Sequence, residues 1–293
     1  MRILSTIVGG LGNQLFGYAA SLYYAQQWKA PLELLSMPES TTASFGSPRL
    51  MQLSHFQIEA KIRVANLMHR VHQTNLRHLK PTVNGLNSAL GIVCLPEPKE
   101  YTFHAALKPP AGASRIYLRG YWQAYGYVQA MESQLRKDLR FKEEPSGHNR
   151  ELLDQIRSKN TTISVHIRRG DYLHYGMVLP ASYYDSALSH MAERYQDATF
   201  VIFSDDMKVA SELFSNRYNV ILAKGNNAAN AFEDMRLMSA CTHNIIANSS
   251  FSWWGAWINT NATKTVIAPR NWGNRKDQDF SDLFSPQWTL LDN

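Results

Sequence analysis

Cysteine is almost absent from this 293-residue chain, which contains only Cys94 and Cys241. They lie far apart and neither belongs to a Cys-x-x-Cys pair, so the sequence indicates neither a zinc site nor a disulfide framework. No apolar run is long enough to span a bilayer, and the apolar opening, residues 1–8, is too short for a signal peptide and ends at Gly9. We therefore expect a cytoplasmic protein, with at most peripheral association with the inner face of the plasma membrane.

Acidic residues are in deficit: 30 Lys and Arg stand against 24 Asp and Glu, a formal net charge of +6. This charge favours an anionic partner, and a nucleic acid, an acidic membrane surface and a nucleotide-sugar all meet that description. A basic surface without a function is the alternative. A hydrophobic content of 44% predicts a packed globular protein, and the length is sufficient for two domains.

Segments typical of strands and helices alternate in the C-terminal half of the sequence. The predicted strands are 161–167, 199–203, 219–223, 244–247 and 264–268, and the predicted helices are 181–195, 207–215, 230–241 and 252–259. The first helix follows Pro180, with Ser182 as its candidate cap. Strands alternating with helices of this length predict βαβ units, a parallel sheet and therefore a Rossmann-like domain.

The N-terminal half begins in the same way. Its predicted elements are strand 2–8, a glycine turn at 9–12, a helix from Asn13, strands 32–35 and 116–122, and a helix over 127–139. Residues 40–110 have no clear pattern, although the basic stretch 61–80 predicts either an exposed basic helix or a solvated polar face. With a linker at 142–148, we predict an α/β fold of two Rossmann-like domains, 1–145 and 146–293.

Two arginines and an aspartate follow the first strand of the C-terminal half, in the run His166-Ile167-Arg168-Arg169-Gly170-Asp171-Tyr172. Ligands of open α/β sheets bind beyond the carboxyl ends of the strands. An arginine there presents a fixed fork of donors that matches phosphate oxygens. The run therefore predicts a diphosphate-binding site. Its Arg-Gly-Asp also matches an adhesion motif, but a strand-end position in a cytoplasmic protein argues against that function.

A glycine-rich turn, Gly9-Gly10-Leu11-Gly12-Asn13-Gln14, occupies the place of a nucleotide-binding loop. It does not match the dinucleotide fingerprint, because Leu15 stands where the third glycine belongs, and it lacks the Lys-Ser/Thr of a P-loop. Gly10 and Gly12 still allow a ligand to approach the backbone, with the Asn13 amide at a helix N-terminus. A tight βα turn without a ligand is an equal alternative.

Carboxylates end a second predicted strand, at Ser204-Asp205-Asp206. Asp205 and Asp206 have three interpretations: a metal site for a sugar-nucleotide diphosphate, a carboxylate that accepts the N–H groups of guanine, or an N-cap. One aspartate can cap while the other binds. Glu233, at the start of a later helix, is a weaker contact candidate, because helix N-termini favour acidic residues in any case.

Hydroxyl groups end a third strand, in Asn248-Ser249-Ser250-Phe251-Ser252-Trp253-Trp254-Gly255. Ser249, Ser250 and the backbone N–H of Phe251 at a helix start predict an anion site. Ser252 is alternatively a capping residue, and the tryptophans are expected in the core. Arginine, aspartate and serine groups at three strand ends of one sheet together favour a ligand that has both phosphate and base.

Together these four motifs, in their order along the chain and spanning nearly its whole length, resemble the bacterial α-1,2-fucosyltransferases. The resemblance implies inverting transfer from GDP-fucose and a GT-B fold, in which two Rossmann-like domains face each other across a cleft. It implies a galactoside acceptor in surface-glycan or O-antigen synthesis, no metal or other cofactor, and no nucleic-acid partner. A fucosyltransferase of other linkage (α-1,6 or protein O-fucosyl) is one alternative. A non-catalytic nucleotide- or nucleic-acid-binding protein is the alternative from another class.

The resemblance also assigns roles. Arg168 would neutralise the β-phosphate of the leaving GDP, His166 and Arg169 would contact the nucleotide, and Asp205, beside Ser204, would read guanine. The Ser249 and Ser250 hydroxyls and the Phe251 backbone would add phosphate contacts, and Gly10 and Gly12 would contact the donor. Asn13 would lie near fucose and acceptor as a catalytic residue. Asp171 is the first candidate for the catalytic base, although pairing with Arg169 or fixing the turn is an equal alternative. His174 is the second candidate.

Overall fold

The computed structural model of this protein describes residues 1–36, 50–72, 80–213, 217–273 and 278–293. The chain forms two compact units: Met1–Arg140 together with Ser281–Leu283, and Phe141–Phe280 together with Phe284–Asn293. The predicted domain boundary, between residues 145 and 146, lies next to this division. The return of Ser281–Leu283 to the first unit was not predicted.

The first unit is built on a five-stranded parallel sheet in the order β3-β2-β1-β5-β4. Its elements are β1 (Arg2–Ile7), α1 (Leu11–Gln27), β2 (Leu32–Ser36), β3 (Lys61–Val64), α2 (Leu67–His72), α3 (Lys80–Ala89), β4 (Ile92–Pro96), β5 (Arg115–Arg119), α4 (Tyr125–Ala130) and α5 (Glu132–Asp138). Ile3, Leu4 and Ile7 of β1 are buried, as expected for a central strand covered on both faces. The strand order reverses between β1 and β5, which makes their carboxyl ends the switch point of this sheet.

Three predicted strands of the N-terminal half, now β1, β2 and β5, are confirmed. The helix predicted over 127–139 is interrupted at Met131 and forms α4 and α5. The prediction of a basic helix over 61–80 is wrong at its start, because Lys61–Val64 pair with β2 as an edge strand. Residues 73–79 of that stretch lie outside the described residues.

The second unit is built on a six-stranded parallel sheet in the order β11-β10-β9-β6-β7-β8. Its elements are α6 (Gly147–Arg157), β6 (Thr162–Ile167), α7 (Tyr172–Tyr175), α8 (Ala181–Arg194), β7 (Thr199–Ser204), α9 (Met207–Leu213), β8 (Asn219–Leu222), α10 (Ala231–Ala240), β9 (His243–Ile245), α11 (Ser250–Ile258), β10 (Val266–Pro269) and β11 (Thr289–Leu291). The alternation predicted from the sequence is confirmed. Every residue of the central strand β6 is buried, with apolar clusters from helices on both sides.

Ser182 does not cap α8, contrary to the prediction. The helix begins at Ala181 with Pro180 in the cap position, and no side chain accepts a hydrogen bond there. Cys94 and Cys241 are free thiols. None of the helices within the described ranges is long and apolar enough to cross a membrane.

Candidate active site

Arg168 lies between two carboxylates immediately after β6. Its Nη2 is 2.6 Å from Oδ1 of Asp171, and its Nη1 is 2.7 Å from Oδ2 of Asp205. The guanidinium also lies over the ring of Tyr172, with Cζ 5.5 Å from the ring centroid. The side chain is 23% exposed, so its charge is partly shielded from water. Two anchors and an aromatic ring therefore fix the orientation of this guanidinium at the strand end.

Asp205 and Asp206, after β7, have different functions in the structure. Asp205 uses both oxygens, since its Oδ1 accepts the backbone N–H of Arg169 at 2.9 Å while Oδ2 pairs with Arg168. Asp206 caps α9 by accepting the N–H of Val209 at 3.3 Å, and it forms an ion pair at 3.3 Å with Arg169. The capping interpretation is thus confirmed for Asp206. Guanine recognition by Asp205 stays a prediction.

Gly170 is required for space at this turn. A Cβ atom built there would lie 2.7 Å from Oδ2 of Asp205, the oxygen that pairs with Arg168. Any larger residue would displace this carboxylate. The glycine of the arginine motif therefore preserves an ion pair.

His166 is a neutral, buried imidazole at the end of β6. Burial, reinforced by the positive charge of Arg168, lowers its pKa to about 3. Its Nδ1 is buried without a hydrogen-bond partner, one of several such atoms in the described part of the chain. The ring lies 5.6 Å from that of Phe251. A neutral imidazole with an unpaired nitrogen can hydrogen-bond a nucleotide, the contact predicted for His166.

The serine-rich turn places Ser249 at the N-cap of α11, where its Oγ accepts the N–H of Phe251 at 3.3 Å. Ser252, the predicted alternative cap, instead donates to the Ser249 carbonyl at 3.3 Å. Tyr172 joins this turn to the arginine motif by donating to the Asn248 carbonyl at 3.0 Å. Ser250 is the first helical residue, and the tryptophans Trp253, Trp254 and Trp257 are buried in the core as predicted.

Gly9 and Gly10 form the turn between β1 and α1 in the first unit. Gly10 is the N-cap of α1, Gly12 is buried, and the helix begins before Asn13, at Leu11. Oδ1 of Asn13 accepts a hydrogen bond from Nε2 of Gln123 at 2.9 Å. Gln14 is a structural residue, because its amide bonds the backbone of Gly9, Leu50 and Gln52.

The predicted site residues thus fall into two groups. The second unit brings together His166, Arg168, Arg169, Asp171, Ser204, Asp205, Ser249, Ser250 and Phe251 at the carboxyl ends of its sheet, whereas Gly10, Gly12 and Asn13 belong to the first unit. Glu233, the weaker contact candidate, is buried, and its carboxylate forms an ion pair with Arg236 at 2.8 Å. Tyr172 belongs to the second group as well and was not predicted, although it ends the run that contains Arg168.

Comparison with known proteins gives the family. Residues 105–292 match glycosyl transferase family 11. The O-antigen biosynthesis glycosyltransferase WbnK of Escherichia coli is 31% identical, with 98% of this chain and 99% of that protein covered. An α-1,2-colitosyltransferase of Escherichia coli is 28% identical, with 99% of each covered. Galactoside α-(1,2)-fucosyltransferase 2 of Bos taurus is 29% identical over 60% of this chain and 53% of its own. The chain is a glycosyltransferase and belongs to family 11.

Solved structures confirm the predicted fold class. The fucosyltransferase NodZ from Bradyrhizobium superposes with a TM-score of 0.52 at 15% identity, covering 87% of this chain and 92% of NodZ. NodZ α-1,6-fucosyltransferase co-crystallised with GDP gives a TM-score of 0.50 at 16% identity, with 87% and 91% covered. At such identities the similarity concerns the fold alone, which is α/β with two Rossmann-like units of the GT-B type.

Proposed function

We propose that this enzyme transfers L-fucose from GDP-β-L-fucose to the 2-hydroxyl of a terminal β-galactoside, forming an α-1,2 linkage with inversion. The glycan product would belong to a bacterial surface polysaccharide such as an O-antigen. The observation that carries the proposal is the Arg168 guanidinium held at a strand end by Asp171 and Asp205. The α-1,2 linkage named for both the bovine and the colitosyl relative supports the linkage, and the GDP complex of NodZ supports the nucleotide.

The chemistry follows from where charge develops. As the bond between the sugar and the diphosphate breaks, negative charge grows on the β-phosphate oxygens. A pre-oriented guanidinium stabilises that charge without reorganisation of its own. Arg168 meets this requirement, because Asp171 and Asp205 fix it before any substrate arrives. The Ser249 and Ser250 hydroxyls and the N–H groups at the start of α11 would bind further phosphate oxygens, and His166 would bind the nucleotide.

We propose that the reaction needs no metal. Arginine supplies the positive charge that a divalent cation would otherwise bring to the diphosphate. Asp205, for which a metal site was one interpretation, instead pairs with Arg168. Incubation with EDTA should leave the rate of fucose transfer unchanged. Loss of activity that Mn²⁺ restores would contradict this proposal and would assign Asp205 and Asp206 to a metal site.

Transfer of colitose is the second candidate function. The colitosyltransferase relative covers 99% of this chain, whereas the bovine fucosyltransferase covers 60%. Both enzymes are named for an α-1,2 linkage, so the difference concerns the donor sugar. Competing the GDP donors of fucose and colitose in one reaction would rank them directly by product mass.

The test is a mass-spectrometric assay with GDP-fucose and lactose. A fucosylated trisaccharide is expected, and NMR of the product should show fucose α-linked to the galactose 2-position. Absence of product with any galactoside, together with no GDP-fucose binding by calorimetry, would exclude the proposal. Product with the GDP donor of colitose alone would leave the enzyme class intact and change the donor.

A further inference from the structure

Three strands of the first unit bring polar residues to one edge of the sheet, and those that follow two of the strands have no assigned role. Glu97 follows β4, the turn Gly120–Gln123 follows β5, and Asn13 follows β1. These strands are neighbours in the sheet, and the strand order reverses between β1 and β5. Open α/β sheets bind their ligands at this position.

Unpaired polar atoms concentrate at this edge. Oε1 of Glu97, Nε1 of Trp122 and Oε1 of Gln123 are buried without hydrogen-bond partners, three of the seven such atoms in the described part of the chain. Gln123 is only 8% exposed, and its Nε2 donates to Asn13 at 2.9 Å. Burial of unpaired acceptors opposes folding, so their retention points to a hydrogen-bond donor that arrives with a ligand.

The turn that carries Gln123 has a strained backbone at Trp122, whose φ of 53° is one that residues with a side chain rarely adopt. Gly120, with a φ of 141°, supplies the freedom that the turn needs there. Glu97 holds it, because its Oε2 accepts the N–H groups of Tyr121 at 3.1 Å and Trp122 at 2.9 Å. A Cβ atom on Gly120 would lie 2.6 Å from that of Glu97. Strain of this kind persists where the surroundings enforce it and is concentrated at functional sites.

The protonation state of Glu97 fits proton exchange near neutral pH. Burial raises its pKa to about 7, Glu100 adds to the rise, and the two backbone N–H groups oppose it. The hydroxyls of Tyr24 and Tyr127 also interact electrostatically with this carboxylate, and both are neutral near pH 7. A base works best when its pKa lies near the operating pH.

We propose that Glu97 and Gln123 form the binding site for the acceptor hydroxyl, with Glu97 as the general base. This inference rests on the proposed function.

In the reaction, Oε1 of Gln123 accepts a hydrogen bond from a neighbouring hydroxyl of the galactoside. The reacting O–H bond breaks and its proton passes to the Glu97 carboxylate, while the oxygen forms a bond to the anomeric carbon of fucose. The bond from that carbon to the diphosphate breaks, and its electron pair leaves with GDP. Oε1 of Glu97 and Oε1 of Gln123 are buried, so binding of the acceptor requires a neighbouring side chain to move. Tyr121 has an exposed side chain in this turn, with 45% of it accessible.

Kinetics of Glu97→Gln test the base. The amide keeps the size of the side chain and an acceptor for the turn but cannot take a proton. We expect kcat to fall by about 100-fold or more at pH 8, with GDP binding unchanged. The rise of wild-type kcat through pH 7 should disappear. Glu193→Gln, at an exposed position of α8, should behave as wild type. Retention of kcat within about threefold by Glu97→Gln would overturn the assignment of the base.

Acceptor binding tests the site without any donor. Saturation-transfer NMR with lactose should detect binding to the wild type, little or none to Gln123→Leu, and wild-type binding to Gln129→Leu, a change at an exposed position. If lactose binds in this pattern but no fucose is transferred, the proposed donor fails and the site stands. If fucose is transferred while Gln123→Leu binds lactose normally, the site fails and the proposed function stands. No lactose binding by the wild type would also overturn the site.

Discussion

Arg168 Nη2 lies 2.6 Å from Asp171 Oδ1, three positions further along the chain. The pairing ties the residue that we predicted as the first candidate base to the guanidinium predicted to bind the leaving group. Oδ1 of Asp171 is engaged by the guanidinium, so this carboxylate fixes the orientation of Arg168. Asp171 stays a prediction as a base, while its position makes it an anchor of Arg168.

Replacing Arg168 with alanine should abolish most of the activity. Loss of a charge-assisted donor to the leaving group costs about 3 kcal/mol, or on the order of a hundredfold in kcat. Steady-state kinetics and circular dichroism would measure activity and fold separately. Arg217→Ala is the matched control, since that side chain is 63% exposed and its ion pair with Asp185 is long, at 3.9 Å. Near-normal turnover of Arg168→Ala would remove this residue from the mechanism.

Adding one methyl group at Gly170 should lower the activity of the enzyme without unfolding it. The new Cβ would meet Oδ2 of Asp205 at 2.7 Å and displace the anchor of Arg168. We expect a loss of kcat of about tenfold or more, since each tenfold loss corresponds to about 1.4 kcal/mol. Gly85→Ala, in α3, has no atom within 4 Å of its Cβ and should retain full activity. Equal activity of the two variants would show that the Asp205–Arg168 pair is dispensable.

Asp205→Asn separates anchoring from guanine recognition. The amide can still accept the Arg169 N–H, but it cannot balance the charge of Arg168. We expect calorimetry to show weaker binding of both GDP and ADP, by a similar factor, because the defect lies at the diphosphate. A loss confined to GDP would instead support the predicted reading of guanine by Asp205.

The second unit was the more predictable one, for a physical reason. Its strands are short β-branched runs followed by good helix formers, so local pattern and tertiary structure agree. The same agreement places Arg168, Asp205 and Ser249 at strand ends of one sheet. The sequence pattern does not show how these residues pair. Asp205 faces Arg168 and Asp206 faces the helix because of side-chain geometry that exists only after folding.

In the first unit, the hydrophobic pattern of the sequence did not predict two of the strands. β3 and β4 are edge strands whose residues are largely exposed or half-buried, so neither shows a strong alternation. Because β4 was not predicted as a strand, Glu97 was not recognised as a residue at a strand end. Its importance arises from burial and from the backbone of Trp122, two properties that no local sequence pattern contains.

Protein stability should depend on pH through Glu97 in the direction opposite to that of an ion-paired carboxylate. Its pKa rises from 4.5 in the unfolded chain to about 7, so the folded state binds the proton more tightly. The stabilisation is fully present below pH 4.5 and is lost as the pH rises through 7. Thermal unfolding from pH 5 to 8 should show a smaller loss of Tm in Glu97→Gln than in the wild type. Glu193→Gln, at an exposed position of α8, should retain the wild-type loss, and parallel curves for all three proteins would contradict the prediction.

The return of Ser281–Leu283 to the first unit has a practical consequence for dissecting the enzyme. The carboxylate of Asp282 accepts the backbone N–H of Phe103 at 3.0 Å, so a fragment ending at Arg140 would lose a native contact. A fragment starting at Phe141 would carry that segment without its partner. To express the first unit separately, residues 281–283 have to be removed from the C-terminal fragment and joined to the N-terminal one. Split versions of this enzyme should therefore be designed around 281–283 and not only at the single linker that the sequence predicts.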